Sequence, residues 1–228
     1  VRKANNNRQA ARELLERNVC PNRLKREFRL HKPLEVFLTD VTYIPYNDNK
    51  MAYGSAVIDS VTGRLMSFRI SDTNDLKLAE CSFVDLSESE HCPNALFHSD
   101  QGSLYLTDTF RKLVKDHGFI ESMSKRGNCW DNAPQESFFG HFKDEVDYRN
   151  CRNIVELEDR IWKYAEYYNF DRPQWTRNRM APIYYQLWLQ SLSEEEFSEY
   201  LENEKMKYEK MKEKAAVKAI ERAKTLGV

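Results

Sequence analysis

Apolar and polar residues alternate through VFLTDVTYI (residues 36–44), the period-two signature of a strand with unlike faces. The turn-forming YNDNK follows. MAYGSAVIDS (51–60) and, after VTG, RLMSFRIS (64–71) then repeat the strand pattern. Three such runs at hairpin spacing predict an antiparallel meander. From residue 75 the period lengthens. DLKLAECSFVDLSE (75–88) has helical spacing, ALFHS (95–99) is a short apolar strand, TDTFRKLVKDHG (107–118) is a helix closed by a C-cap glycine, and FIESMS (119–124) is a further strand. Single strands separated by helices need crossovers, so parallel strands extend the meander into a mixed sheet.

Beyond it, KRGNCWD (125–131) is a polar, glycine-containing loop and NAPQESFFGHFKDEVDY (132–148) a helix. Asn132 is expected to cap that helix with Gln135 as its capping-box partner and Pro134 in the first turn. NIVELEDRIWKYAEYYNF (153–170) is a second amphipathic helix ending at the basic turn DRPQWTRNR. From Ser193 a charged helix begins, its acids early and its lysines late, with a thin apolar stripe of Phe197, Leu201, Tyr208, Met211 and Ala215. At the other end RQAARELLER (8–17) has helical character, and the basic, proline-punctuated VCPNRLKREFRLHKP reads as a linker lying against the main domain rather than as core. The expected class is α/β: a ribonuclease-H-like mixed five-stranded sheet flanked by helices, with helical N- and C-terminal extensions. The boundaries implied are a basic linker over 1–33, a core domain over 34–190 and a charged tail over 191–228.

Composition changes this picture in two ways. The 228 residues carry 35 basic and 36 acidic side chains, so a polyanionic partner must be argued from where charge lies rather than from its sum. It lies unevenly, because residues 1–33 hold ten Lys or Arg, Arg23, Lys25 and Arg26 among them, against three Glu, which marks a candidate phosphate-contacting segment. Cys20, Cys81, Cys92, Cys129 and Cys151 form no C-x-x-C pair, so reduced thiols and no structural zinc are expected, His91–Cys92 being a solvated turn. No apolar run reaches the roughly 18 residues of a membrane span, and no signal-peptide pattern opens the chain. A soluble, cytoplasmic protein is expected.

Three acids stand out by position. Asp40 is mid-strand, sharing a face with Leu38, Thr42 and Ile44, so its carboxylate is drawn toward burial and needs a cation partner. Asp100 directly follows ALFHS, at the carboxyl end of a parallel strand, where open α/β sheets place ligand sites. Glu136 sits in the first turn of its helix. Any one of them alone would be a surface or capping residue; as a triplet they suit divalent, oxygen-seeking cations such as Mg²⁺. Two such ions about 4 Å apart can serve an in-line phosphoryl displacement. Around the same helix Gly140 and Lys143 follow Glu136 on one face while Phe138, Phe142 and Val146 fall on another. Gly140 would admit a DNA backbone and Lys143 meet a phosphate, unless Lys143 is simply solvated. Lys125, Arg126 and Trp130 suit a strand backbone and an unpaired base, or else Trp130 is buried in ordinary loop packing.

These residues lie within VFLTDVTYIP, AYGSAVIDSVTGRLMSF, FHSDQGSLY, SMSKRGNCWDNAPQESFFGHFKDE and YNFDRPQWTRNRMAPIYY, with thirty-five residues between Asp100 and Glu136. Over residues 18–190 the sequence resembles the transposases of bacterial insertion sequences, whose catalytic core is similar to retroviral integrase and which are made from two overlapping frames. The resemblance implies an integrase-like catalytic core over 34–190 whose metal-binding acids are Asp40, Asp100 and Glu136 and whose DNA-contacting lysine is Lys143. It implies two Mg²⁺ or Mn²⁺ ions per site, hydrolytic cleavage of one strand at terminal inverted repeats, and joining of the freed 3′-hydroxyl to target DNA. A homodimer or higher oligomer on double-stranded DNA is expected, because two ends must meet. The family's helix-turn-helix region would lie ahead of residue 1, and the tail is left as a dimerisation arm, a DNA-contacting arm or an uninvolved appendage. A catalytically silent DNA-binding derivative and a ribonuclease-H-like nuclease are the competing readings.

Overall fold

A computed structural model describes residues 16–226; the expected helix at 8–17 falls mostly outside them. The meander forms as the alternation predicts. β1 (Val36–Tyr46), β2 (Lys50–Asp59) and β3 (Leu65–Ser71) are antiparallel neighbours, with Asp40 opposite Ala56. Asn47 and Asp48 take positive φ in the first turn, a conformation that their short polar side chains tolerate. β4 (Leu96–Ser99) joins β1 in parallel and β5 (Ile120–Met123) joins β4. The order β3-β2-β1-β4-β5 makes β1 central, the mixed five-stranded sheet expected from the sequence.

Period-two alternation sends the two halves of each strand's side chains into separate cores. On one face Val36, Leu38 and Ile44 meet Phe138, Phe139 and Phe142 of α3 (Ala133–Glu145) and Leu157, Ile161 and Tyr164 of α4 (Ile154–Phe170). On the other, Phe37, Val57 and Phe97 meet Phe83 of α1 (Leu76–Glu88) and Phe110 and Val114 of α2 (Asp108–Asp116). Asp40 follows Leu38 by two residues and therefore shares the α3 side of β1. Asp75, Thr107 and Asn153 cap α1, α2 and α4 with side-chain acceptors.

Several expectations are corrected. α3 has no side-chain cap: Asn132 is buried and donates to Thr39 O, and Gln135 is buried and donates to Ala56 O, so both tie the helix start to the sheet instead of forming a capping box. The linker is partly core, because Leu24 is 1% exposed and the backbone N–H groups of Arg23 and Leu24 donate to Ser122 Oγ. In the tail, α6 (Glu194–Leu226), Phe197, Leu201 and Tyr208 of the expected stripe are half-buried, joined by Tyr200 and the buried Glu204, whereas Met211 and Ala215 are exposed.

That stripe docks the tail. Ser193 and Glu196 form a reciprocal capping box at its start. Phe197 and Tyr200 then pack on Trp188 and Tyr185 of α5 (Pro182–Ser191). Glu204 faces Arg29 at 3.5 Å, and Tyr208 donates to Lys25 O at 2.7 Å, so α6 runs along the linker toward the loop after β5. The four cysteines whose side chains are described, Cys20, Cys81, Cys92 and Cys151, are free. His91 stacks near Phe119, centroids 4.6 Å apart, so its turn is packed rather than solvated. No helix among the described residues is long and apolar enough to cross a membrane.

Candidate active site

The centre of β1, the end of β4 and the start of α3 converge at one end of the sheet. A cavity of 330 Å³ there is lined by Asp40, Asp100 and Glu136, with Gln101, Asn132 and the loop residues 124–128 around them. The sheet fixes the first two acids. Asp40 Oδ1 accepts from Val41 N–H at 2.7 Å, and Asp100 Oδ1 accepts from Gly102 N–H at 2.7 Å. A Cβ at residue 102 would lie 2.7 Å from Asp100 Oδ1, so any larger residue there would push that carboxylate from its present position. Glu136 is exposed in the first turn of α3.

The electrostatics are unfavourable to bare carboxylates. Burial, then the neighbouring Asp100, and more weakly Glu136, push the Asp40 carboxyl up to about 7, against the Val41 hydrogen bond and the field of Lys143. Burial likewise raises Asp100, with Gly102 N–H opposing it. Lys143 is thus the cation that Asp40 senses, one helical face below Glu136, and it is exposed. Asn132 Oδ1 is buried in the same cavity with no hydrogen-bond partner among the described residues.

Hard oxygen donors, two of them partly desolvated, one exposed and adjustable, and an orphaned amide oxygen beside them are a donor set that suits a divalent cation. Among the described residues no three acidic, His or Cys side chains already surround one point at ligand distance.

The loop between β5 and α3 is pinned from beneath. Asp131 is buried and accepts from Arg26 Nε at 2.5 Å, from Asn22 Nδ2 at 3.0 Å and from Lys125 N–H at 3.1 Å. Burial opposes ionisation, yet Arg26, the Lys125 N–H and Asn22 together hold this carboxyl below the usual range. His98, fully buried on β4, bridges Ser122 Oγ and the Asp131 carbonyl, and burial pulls its pKa down to about 4, against the pull of Asp131.

The sequence-derived contacts therefore divide. Lys125 and Arg126 line the carboxylate cavity. Trp130 is 70% exposed, not buried, and lines an adjoining groove with Lys25 and Arg26. Arg26 is held by Asp131 at the base of the loop, and Arg23 is exposed but joins neither cavity nor groove. Gly140 faces open space, with nothing within 4 Å of an added Cβ. Asp131, His98 and Asn132 escaped the sequence reading as site residues. Their one signal was polarity in segments otherwise destined for the interior, His98 inside an apolar strand above all.

Two family profiles, each described as integrase core domain, match residues 31–129 and 117–182, and together they span more than half of the chain. The InsK protein of insertion sequence element IS150 from Escherichia coli is 37% identical over 73% of this chain and 59% of its own length. The transposase for insertion sequence element IS904 from Lactococcus lactis is 32% identical over 67% of this chain and 61% of its own length. The chain thus spans about six-tenths of these relatives. Among solved structures, the HTLV-2 integrase catalytic core domain in complex with magnesium superposes with a TM-score of 0.55 at 14% identity, over 68% of this chain and 97% of that one. A simian T-cell lymphotropic virus intasome chain gives 0.56 at 13% identity, over 74% and 58%. These likenesses establish the ribonuclease-H-like fold of retroviral integrase cores, and with the sequence matches they identify the chain as a member of the integrase-core family that includes the transposases of bacterial insertion sequences.

Proposed function

We propose that this chain performs the strand cleavage and 3′-hydroxyl strand transfer of DNA transposition, with Asp40, Asp100 and Glu136 as its catalytic carboxylates. The observation that carries the reading is the meeting of these three acids, from a strand centre, a strand end and a helix start, in one cavity of an integrase-type core. They would hold two divalent ions, Mg²⁺ or Mn²⁺, which when bound supply Lewis acidity to the attacked phosphodiester. The chain's own groups do the rest. The loop cations Lys125 and Arg126 at the cavity, and Lys143 close enough for Asp40 to feel its field, offset phosphate charge, and the open side of Gly140 lets a backbone approach α3 closely. The Asp131 anchor keeps the loop at a set height above the acids.

Terminal inverted repeats and target DNA are the proposed substrates, and a dimer or larger assembly on paired ends follows from the need to bring two ends together. Incubation with labelled ends of the parent element and Mg²⁺ should give nicking and joined products. RNA–DNA hybrids and four-way junctions should be poor substrates. Cleavage confined to hybrids would favour a ribonuclease, and DNA binding with no metal-dependent cleavage a silent derivative.

A further inference from the structure

Beside the carboxylate cavity, and sharing Lys125 and Asn128 with it, lies a second depression of 830 Å³. Its character is opposite. Trp130 and Pro134 from the loop and the start of α3, Tyr208, Met211 and Ala215 of α6, and Phe28 of the linker line it. Cations rim it: Lys25 and Lys125 on the domain side and Lys212 on the helix. Trp130 and Met211 are 70% and 55% exposed, so a flat ring and a soft thioether stand open to a ligand. The tail is also charged to match. Its early acids give way to six Lys against two Glu over residues 205–218, and the docking of Tyr208 on Lys25 O holds this lysine-rich stretch at the groove.

We propose that this groove receives an unpaired nucleotide of the DNA strand that leaves the carboxylate cavity, its base stacked between Trp130 and the Met211 face of α6 and its phosphate met by Lys25, Lys125 and Lys212. An apolar slot with aromatic floor and cationic rim is the general design of single-strand sites, where stacking is sequence-tolerant and charge tracks the backbone. Continuity through Lys125 and Asn128 supplies the path from one site to the other. The C-terminal helix is then a component of the substrate site. The occupant rests on the transposase reading given above, but the binding test does not require catalysis.

The whole 228-residue chain, in chelator, is titrated with a fluorescent oligothymidine and with an abasic strand of equal length. Trp130→Ala should weaken the oligothymidine about tenfold and leave the abasic strand nearly unchanged. Trp130→Phe should retain most of the affinity. Met211→Glu, on α6, should also weaken oligothymidine, and it decides the matter if Trp130→Ala does not fold. Equal losses for both strands with Trp130→Ala would overturn base stacking, and unchanged binding by Met211→Glu would remove the tail from the site. A change in oligomeric state on either substitution, without a change in DNA binding, would give the groove to a second copy of the chain and overturn the proposal. Base-dependent binding in a chain that never cleaves DNA would instead leave the groove standing and defeat the transposase reading.

Discussion

Asp40 and Glu136 belong to one cavity but are held in opposite ways. Asp40 hangs from the central strand, packed into the sheet beside Leu38 and committed to a carboxyl pushed up to about 7 by burial. Glu136 rides the exposed first turn of a helix whose start is tied to the sheet by Asn132 and Gln135. The sheet therefore fixes one carboxylate at a standing electrostatic cost, while the helix leaves the other able to adjust at little expense. Stability and activity should separate along this line.

The largest effect should come from Asp40→Asn and Glu136→Gln. Each should reduce strand cleavage by about 10²–10³-fold or more, since each would remove a ligand of the divalent ions that activate the phosphodiester. Their thermal behaviour should differ. An unfolded Asp releases its proton near 3.8 and the folded Asp40 near 7, so the folded state binds more protons between these values and loses stability as pH rises through that window. Metal-free Asp40→Asn should thus be more stable than the parent above pH 7, by up to roughly 4 kcal/mol, whereas Glu136→Gln should leave the melting temperature nearly unchanged. Calorimetry on the metal-free proteins checks this. Equal melting of Asp40→Asn and the parent at pH 8 would remove the contrast.

Intermediate effects should arise from the loop's anchor. Asp131→Ala strips partners from Arg26, Asn22 and Lys125 N–H, and loss of such a buried acceptor costs about 1–3 kcal/mol. Strand-joining rate should fall up to about a hundredfold through misplacement of Lys125 and Arg126. His98 sharpens the same point through pH. Its folded pKa is about 4, below the ordinary 6.5, so the unfolded state binds more protons in between. Stability from this group is complete above 6.5 and declines as pH falls toward 4, by roughly 3 kcal/mol in all. Because Asp40 gains stability over the same range, the loss should be read in an Asp40→Asn background, where denaturant midpoints at pH 7 and pH 4.5 should show it and should show less of it once His98→Gln is added.

The smallest effect should be that of Gly140→Ala. Its Cβ meets nothing within 4 Å, so the helix should gain up to about 1 kcal/mol. Binding of duplex DNA, by anisotropy, should nonetheless weaken if the backbone approaches α3 there. Unaltered binding would assign Gly140 no contact.

The strands were legible because each has one periodicity and both faces are covered: Phe37 and Leu38, adjacent in sequence, enter separate cores. The three acids were legible by placement, as they sit where strand alternation and helix starts put them. What surrounded them was not. Asn132 looks like a cap from its spacing to Gln135, but a buried start to α3 leaves their amides facing backbone oxygens of β1 and β2, and those contacts win. Leu24 enters the core from a basic segment because a single apolar side chain among arginines gives no period to detect. The tail's course depends on Arg29 and Glu204, 175 positions apart in sequence, finding each other, and no local pattern encodes such a pair. The exposure of Trp130 likewise follows from tertiary placement and has no local signal.

The central claim is that Asp40, Asp100 and Glu136 hold the ions that carry out the chemistry. Electron paramagnetic resonance titration of Mn²⁺, with DNA present, tests it most directly. The parent chain and Lys143→Ala should bind Mn²⁺ alike, and Asp40→Asn, Asp100→Asn and Glu136→Gln should each lose most of that binding while still retaining DNA. Undiminished Mn²⁺ binding by any of the three would contradict the account.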